Sequence, residues 1–324
     1  MAAPDDDKGK SGTPCVAILS AVLDMEYLAV AFREAHPGID LRLGEELGAL
    51  DEIEAAVCWF PPHGLLAQLP KLRLVQSLAA GIEHITADAE LPRHLSLCRI
   101  VDTGMAAGMK AYVCWAVVQQ HRGMRAYVAS SAAGRWEEQP IESPRHHRVG
   151  IAGLGTLGMA CAEALAAIGY QVRGWSRGPK EALPAGVVGF HGAAQLDEFL
   201  SGCDTLVCLL PLTAETHGFL DAALFARLPR GAHLINVGRG DHLVEADLQP
   251  ALDAGQLSAA TLDAFSQEPL PPEHPFWGDP RILVTPHIAT RTDSLVIARQ
   301  TLDNLASVRQ GRRPANQVDL ARGY

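Results

Sequence analysis

Short apolar runs alternate with stretches of helical spacing along most of the chain. Residues 16–20, 56–60 and 74–78 read as buried strands, and 25–35 carries helical spacing between the first two. The second run stops at Pro61-Pro62 and the third at Ala79-Ala80-Gly81, residues that end extended structure. From 104 to 128 the pattern is helical, with Tyr112, Trp115, Ala116 and Val118 apolar. A polar arm containing Arg135, Trp136, Pro140 and Pro144 follows. Strands are then predicted at 149–152, 171–175, 205–210, 233–237, 259–262 and 282–285, and a last helix at 294–308. Strands separated by helices over short connections predict a doubly wound parallel α/β sheet, here of six strands.

Composition narrows the class without naming a reaction. The 324 residues suffice for about two domains. With 48% apolar and 20% charged residues the chain is a folded one and not a disordered one. A net charge of −10 disfavours nucleic acid as a partner, because neutralising phosphates needs clustered Lys and Arg. The first fourteen residues are polar and include Asp5, Asp6 and Asp7, so residues 1–14 are read as a disordered tail without a signal peptide. Only 149–170 resembles a membrane span, and its glycines at 150, 153, 155 and 158 argue for strand–turn–helix instead. No membrane partner and a cytoplasmic location are expected. Seven scattered cysteines without a CxxC pair are read as free thiols in a reducing compartment, and no metal site is expected.

The first specific chemistry lies in Gly153-Leu154-Gly155-Thr156-Leu157-Gly158, a G-x-G-x-x-G that follows one predicted strand and opens a helix. Gly153 permits the tight turn, Gly155 lets backbone approach a pyrophosphate, and Gly158 allows close helix–strand packing. The free N–H groups and positive dipole end of the helix then hold the phosphates. A dinucleotide-binding domain is therefore expected. NAD-preferring enzymes place Asp or Glu near the next strand end for the ribose hydroxyls. This chain has Trp175-Ser176-Arg177-Gly178-Pro179-Lys180 there. Ser176, Arg177 and Lys180 suit a 2′-phosphate, so NADPH is the preferred cofactor and NAD a possible one.

Three later strands end in Asn236-Val237-Gly238-Arg239-Gly240, in Asp263 through Glu268 to Pro271, and in Thr285-Pro286-His287. Ligands bind at the carboxyl ends of such strands. Arg239 offers a planar fork for a carboxylate and its adjacent carbonyl. His287 can protonate a carbonyl oxygen as hydride reaches carbon, and Glu268 would orient the imidazole and stabilise its protonated form. The trio suits reduction of a 2-oxo acid. Taken singly, each residue also has a plain structural reading, as a turn arginine, a surface acid or a core histidine.

These motifs, with Phe265 through Pro272 and Pro275-Phe276-Trp277, resemble the D-isomer-specific 2-hydroxyacid dehydrogenase family over nearly the full length. Its glyoxylate/hydroxypyruvate reductase A branch is the nearest likeness. The resemblance implies that Arg239, Glu268 and His287 are the catalytic set and that a small 2-oxo acid becomes a D-2-hydroxy acid. It adds a substrate loop at Ala79, Ala80 and Gly81, cofactor contacts at Leu210, Pro211, Val237, Gly238 and Asp263, and pocket positions at Trp59 and Arg291. It also implies a homodimer and a dinucleotide-binding domain at 102–290. That domain is inserted in a smaller flavodoxin-like substrate domain made of 15–101 and 291–324. The run Lys110-Ala111-Tyr112 departs from the commoner family pattern of Val-Ala-Glu. Two other readings stay open: a dehydrogenase of a bulkier 2-oxo acid, and a non-enzymatic nicotinamide-sensing protein of the corepressor kind.

Overall fold

The computed structural model describes residues 12–44, 46–79, 81–102 and 104–318. The chain divides into two compact units, Met1–Asp102 with Thr292–Tyr324 and Thr103–Arg291, taken over their described residues.

In the smaller unit β1 (Cys15–Leu19), α1 (Tyr27–Ala35), β2 (Asp40–Leu43), β3 (Ala55–Cys58), β4 (Leu74–Ser77), α2 (Glu83–Thr86) and β5 (Ser96–Cys98) follow in order. The strands pair in parallel as β2-β1-β3-β4-β5. β1, β3 and β4 are buried throughout, as central strands of a sheet covered on both faces must be. The last helix, Ser294–Arg309, returns to this unit. Its Ile297, Ala298 and Leu305 join Leu28 and Phe32 of α1 in one apolar cluster. Buried Asn304 of this helix donates to the side-chain oxygen of Gln76 of β4 at 2.9 Å, which pairs the two amides inside the core.

The larger unit opens with α3 (Gly104–His121) and α4 (Met124–Ala132). The predicted helix at 104–128 is thus two helices, because Gly123 sits between them in the left-handed region at φ 60°. After the arm come β6 (Arg148–Ala152), α5 (Thr156–Ile168), β7 (Gln171–Ser176), β8 (Val187–His191), α6 (Leu196–Leu200) and β9 (Thr205–Cys208). Next follow α7 (Ala222–Phe225), β10 (Ala232–Asn236), α8 (Glu245–Asp253), β11 (Leu257–Leu262) and β12 (Ile282–Val284), and Ser294–Arg309 is therefore α9. The parallel sheet runs β12-β11-β10-β9-β6-β7-β8.

That is seven strands among the described residues, where the sequence pattern predicts six. The missed one, β8, is an edge strand that buries only Phe190 and so lacks the continuous apolar run of its neighbours. β2 and β5 escape the pattern similarly: β2 is half-buried throughout, and β5 has three residues. The stretch 149–170, the one candidate span, is β6 and α5. No helix among the described residues is long and apolar enough to cross a membrane. All seven cysteines are unpaired, and Cys114 alone is not fully buried.

Candidate active site

Hydrogen-bond register sets the site. Trp175, Ala152, Cys208, Asn236, Leu262 and Val284 form one continuous rung across β7, β6, β9, β10, β11 and β12. The glycine turn, the Ser176 strand end, the Leu210 loop, Arg239, Asp263 and His287 all leave the sheet just beyond that rung. From β6 the chain builds outward to β7 and β8, then returns to β9 on the other flank and builds outward to β12. Strand order therefore reverses between β6 and β9, where doubly wound sheets open a crevice for ligands.

The glycines at this point are required by contact. Gly153 has φ 109°, and a Cβ there would lie 2.5 Å from the carbonyl oxygen of Leu209. A Cβ on Gly158 would lie 1.8 Å from the carbonyl oxygen of Gly153, so α5 packs this closely on the turn only because Gly158 lacks a side chain. Gly155 faces open space, and as the N-cap of α5 it supplies no capping side chain. The first N–H groups of this helix thus lack the side-chain acceptor that usually satisfies them, the state an anion would complete. The residues present fit a dinucleotide.

Beyond β7 a cavity of about 140 Å³ is lined by Leu154, Ser176, Pro179, Lys180, Leu183 and the β8 residues Gly189 to His191. Ser176 is buried and its hydroxyl donates to the Gly178 carbonyl at 2.9 Å. Arg177 and Lys180 are exposed and carry the positive charge there. On the other flank Leu210 is buried and Pro211 exposed. The Thr216 hydroxyl donates to the Pro211 carbonyl at 2.7 Å and braces this loop.

Arg239 is held through its backbone. Asn236 donates from Nδ2 to the Arg239 carbonyl at 2.9 Å, and the Arg239 N–H donates to Nδ1 of His242 at 2.9 Å. The guanidinium Nη1 donates to the Gly238 carbonyl at 2.9 Å. Val237 and Gly238 are buried beneath it. His242 is fully buried, and burial pushes its pKa down, which keeps it in the neutral form able to accept from Arg239. Sequence reasoning missed His242. Its signal was a histidine spaced like the last member of a capping turn behind the arginine.

His287 and Glu268 meet directly. Nδ1 of His287 lies 2.9 Å and 3.1 Å from the two Glu268 carboxylate oxygens. Glu268 Oε1 also accepts the Phe265 N–H at 2.9 Å, which fixes the carboxylate relative to its own loop. His287 has φ 52°, a left-handed conformation costing a non-glycine residue of order 1–3 kcal/mol. Asp263 offsets this. Its carboxylate accepts from the Thr285 hydroxyl at 2.6 Å, the Ile288 N–H at 2.8 Å and the Ala289 N–H at 2.8 Å, bracketing the histidine. Burial pushes the Asp263 pKa up in spite of these bonds. The family likeness gives Asp263 a cofactor contact; the structure shows its carboxylate holding the His287 loop. Tyr112, in the departing run on α3, shares the Thr285 hydroxyl at 2.5 Å.

The remaining expected positions divide. In the smaller unit Ala79 already donates its N–H to the Ser77 hydroxyl at 3.1 Å, and that hydroxyl donates to the Gly81 carbonyl at 2.6 Å. Ala80 lies outside the described residues. Trp59 is partly buried against the α1 cluster, with its ring 5.1 Å from Phe60 and 4.6 Å from His84. In the larger unit Arg291 is exposed.

A doubly wound sheet with an open glycine turn and a carboxylate-held histidine on one rung defines a dinucleotide-dependent oxidoreductase by its class. Residues 114–289 match the D-isomer specific 2-hydroxyacid dehydrogenase, NAD binding domain family, and the chain belongs to that family. It is 40% identical over 284 residues to glyoxylate/hydroxypyruvate reductase A of Yersinia enterocolitica, covering 86% of this chain and 90% of that one. A D-isomer specific 2-hydroxyacid dehydrogenase from Xanthobacter autotrophicus Py2, solved with NADPH and MES, superposes with a TM-score of 0.84 at 40% identity. That match covers 97% of this chain and 100% of the other. An NADPH-dependent glyoxylate/hydroxypyruvate reductase from Sinorhizobium meliloti, solved with NADP and sulfate, gives a TM-score of 0.86 at 35% identity. The coverage is again 97% and 100%.

Proposed function

We propose that this dehydrogenase reduces a small 2-oxo acid of the glyoxylate or hydroxypyruvate type to the D-2-hydroxy acid, with NADPH preferred over NADH. The observation that carries this reading is the Glu268–His287 pair, which leaves the sheet beyond the same rung as the glycine turn. The substrates and cofactors named for the relatives support the finer assignment.

The cofactor, when bound, supplies the hydride. Residues 153–158 would hold its phosphates through backbone N–H groups, Arg177 and Lys180 would answer a 2′-phosphate, and Leu210, Pro211, Val237 and Gly238 would line its path. Arg239 binds the substrate carboxylate and polarises the neighbouring carbonyl. Because Glu268 engages Nδ1 of His287, Nε2 is the atom that would give a proton to the substrate carbonyl oxygen. The carboxylate holds the ring in place before and after the transfer. The family likeness assigns Ala79, Ala80 and Gly81 to the substrate loop, whose main-chain N–H groups would hold a carboxylate. Trp59 and Arg291 shape substrate choice.

The test is oxidation of NADPH and of NADH over glyoxylate, hydroxypyruvate, pyruvate and phenylpyruvate. The expected ranking puts NADPH with glyoxylate or hydroxypyruvate first. Fastest turnover of phenylpyruvate would move the protein to the bulkier substrate class. Tight NADPH binding without turnover on any acid would make it a sensor.

A homodimer through α3, α4 and the arm belongs to the same reading. Val128, Trp136 and Ile141 are 70%, 95% and 71% exposed, an apolar display that a second copy would cover. Sedimentation at a mass of one chain would remove it.

A further inference from the structure

At the opposite end of the central strands β6 and β9 of the larger sheet, away from the glycine turn, lies a cluster that the proposed reaction does not use. It joins His121, the last residue of α3, to Glu142 of the arm and to His147, just ahead of β6. One ligand atom from each lies within 4.8 Å of the others. The two imidazole rings are 4.4 Å apart and tilted by 30°.

Each imidazole is fixed by a hydroxyl at one nitrogen only. Nδ1 of His121 is 3.0 Å from the Tyr170 hydroxyl, and Nε2 of His147 is 2.9 Å from the Thr205 hydroxyl. Nε2 of His121 is buried and meets no hydrogen-bonding group of the described residues. A buried polar atom without a partner is costly and calls for an explanation. Metal-bound histidines show this arrangement: the outer nitrogen is held by a polar group, and the inner one is left for the ion. Burial holds both histidines below their usual pKa, in the neutral form that binds metal. Arg122 opposes a cation here, while Glu142 favours one. Arg148 is paired with Asp204 at 2.5 Å.

We propose that His121, Glu142 and His147 form a binding site for a divalent transition metal ion of the zinc class. Two imidazoles and one carboxylate are a ligand set that zinc accepts, with water completing the shell. Metal–ligand bonds of 2.0–2.2 Å place ligand atoms about 3.3 Å apart, so the cluster closes by small side-chain rotations around the ion. The ion would tie the arm, through Glu142, to the end of α3 and the start of β6.

The experiment uses full-length protein without a polyhistidine tag, stripped with EDTA and titrated with Zn²⁺ against a chromophoric chelator, and in parallel with Co²⁺. One equivalent should bind, with d–d absorption from Co²⁺ and no thiolate charge-transfer band. Exposed Glu142 can be changed without disturbing the core, and Glu142→Gln should weaken Zn²⁺ binding by roughly tenfold or more. His121→Ala should remove it, and Zn²⁺ should raise the Tm of the parent but not of this variant. No stoichiometric binding by the parent, a thiolate band, or unchanged affinity in both variants would overturn the proposal.

Discussion

In each unit the first strand of the parallel sheet leads toward a helix, and the backbone of that turn is treated in opposite ways. After β1, Val22 and Leu23 donate their N–H groups to the Ser20 hydroxyl at 3.2 Å and 3.0 Å. Ala21 donates to the Phe60 carbonyl at 2.8 Å, and Glu26 to Asp24 at 2.9 Å. That turn is satisfied by its own side chains and by the Phe60 carbonyl. After β6, glycines stand at 153, 155 and 158, and no side chain caps α5. The same strand-to-helix plan thus yields a closed turn in one unit and a turn without a capping side chain in the other. The difference lies in which donors the side chains leave open.

The largest effect should come from the reaction edge of the larger sheet. Arg239→Ala is expected to lower kcat/KM by roughly 10²–10³ while NADPH affinity stays near the parent value. Steady-state kinetics paired with cofactor titration measures this, and near-normal turnover would remove Arg239 from the chemistry. Next is the open turn. Gly153→Ala forces a Cβ against the Leu209 carbonyl at a left-handed φ, so NADPH affinity should fall at least about tenfold, roughly 1.4 kcal/mol, with a lower Tm. Equal NADPH binding by this variant would erase the contrast between the turns.

The opposite end of the strands should affect stability alone. Asp279, just before β12, is held below the usual carboxylate range by the Arg281 guanidinium, whose Nη2 lies 2.6 Å away. Its folded pKa lies below the unfolded value of about 3.9, so its stabilisation is complete above that pH and is lost as pH falls through the folded value. Asp279→Asn should lower Tm at neutral pH, approach the parent at strongly acidic pH, and leave kcat unchanged. Thermal melts across pH would show a constant gap if the reasoning fails. The smallest effect belongs to the closed turn. Ser20→Ala should cost about 0.5–1 kcal/mol and leave NADPH affinity untouched. A weakened cofactor in that variant would mean that the smaller unit's turn also serves binding.

Much of the fold was legible because central parallel strands are buried on both faces and leave continuous apolar runs. β8, β2 and β5 were illegible for the same reason: edge or very short strands leave no such run. In the site, the trio was visible one strand end at a time, but its supports were not. Asp263 reaches the backbone of Ile288 and Ala289, and Tyr112 reaches Thr285 from α3. Neither spacing follows a local period.

The sequence by itself determined the glycine turn, the absence of an acid directly after β7 and the succession of the central strands along the chain. Each depends on what a residue and its immediate neighbours can do: lack a Cβ, repel a phosphate, or bury a run. Only the tertiary structure decided that Asp263 clamps the His287 loop, that His242 holds Arg239 in a neutral buried ring, and that His121, Glu142 and His147 converge. Those outcomes depend on β-sheet register and helix packing. Both bring groups far apart along the chain within a few ångströms, and neither is written in any short window of residues.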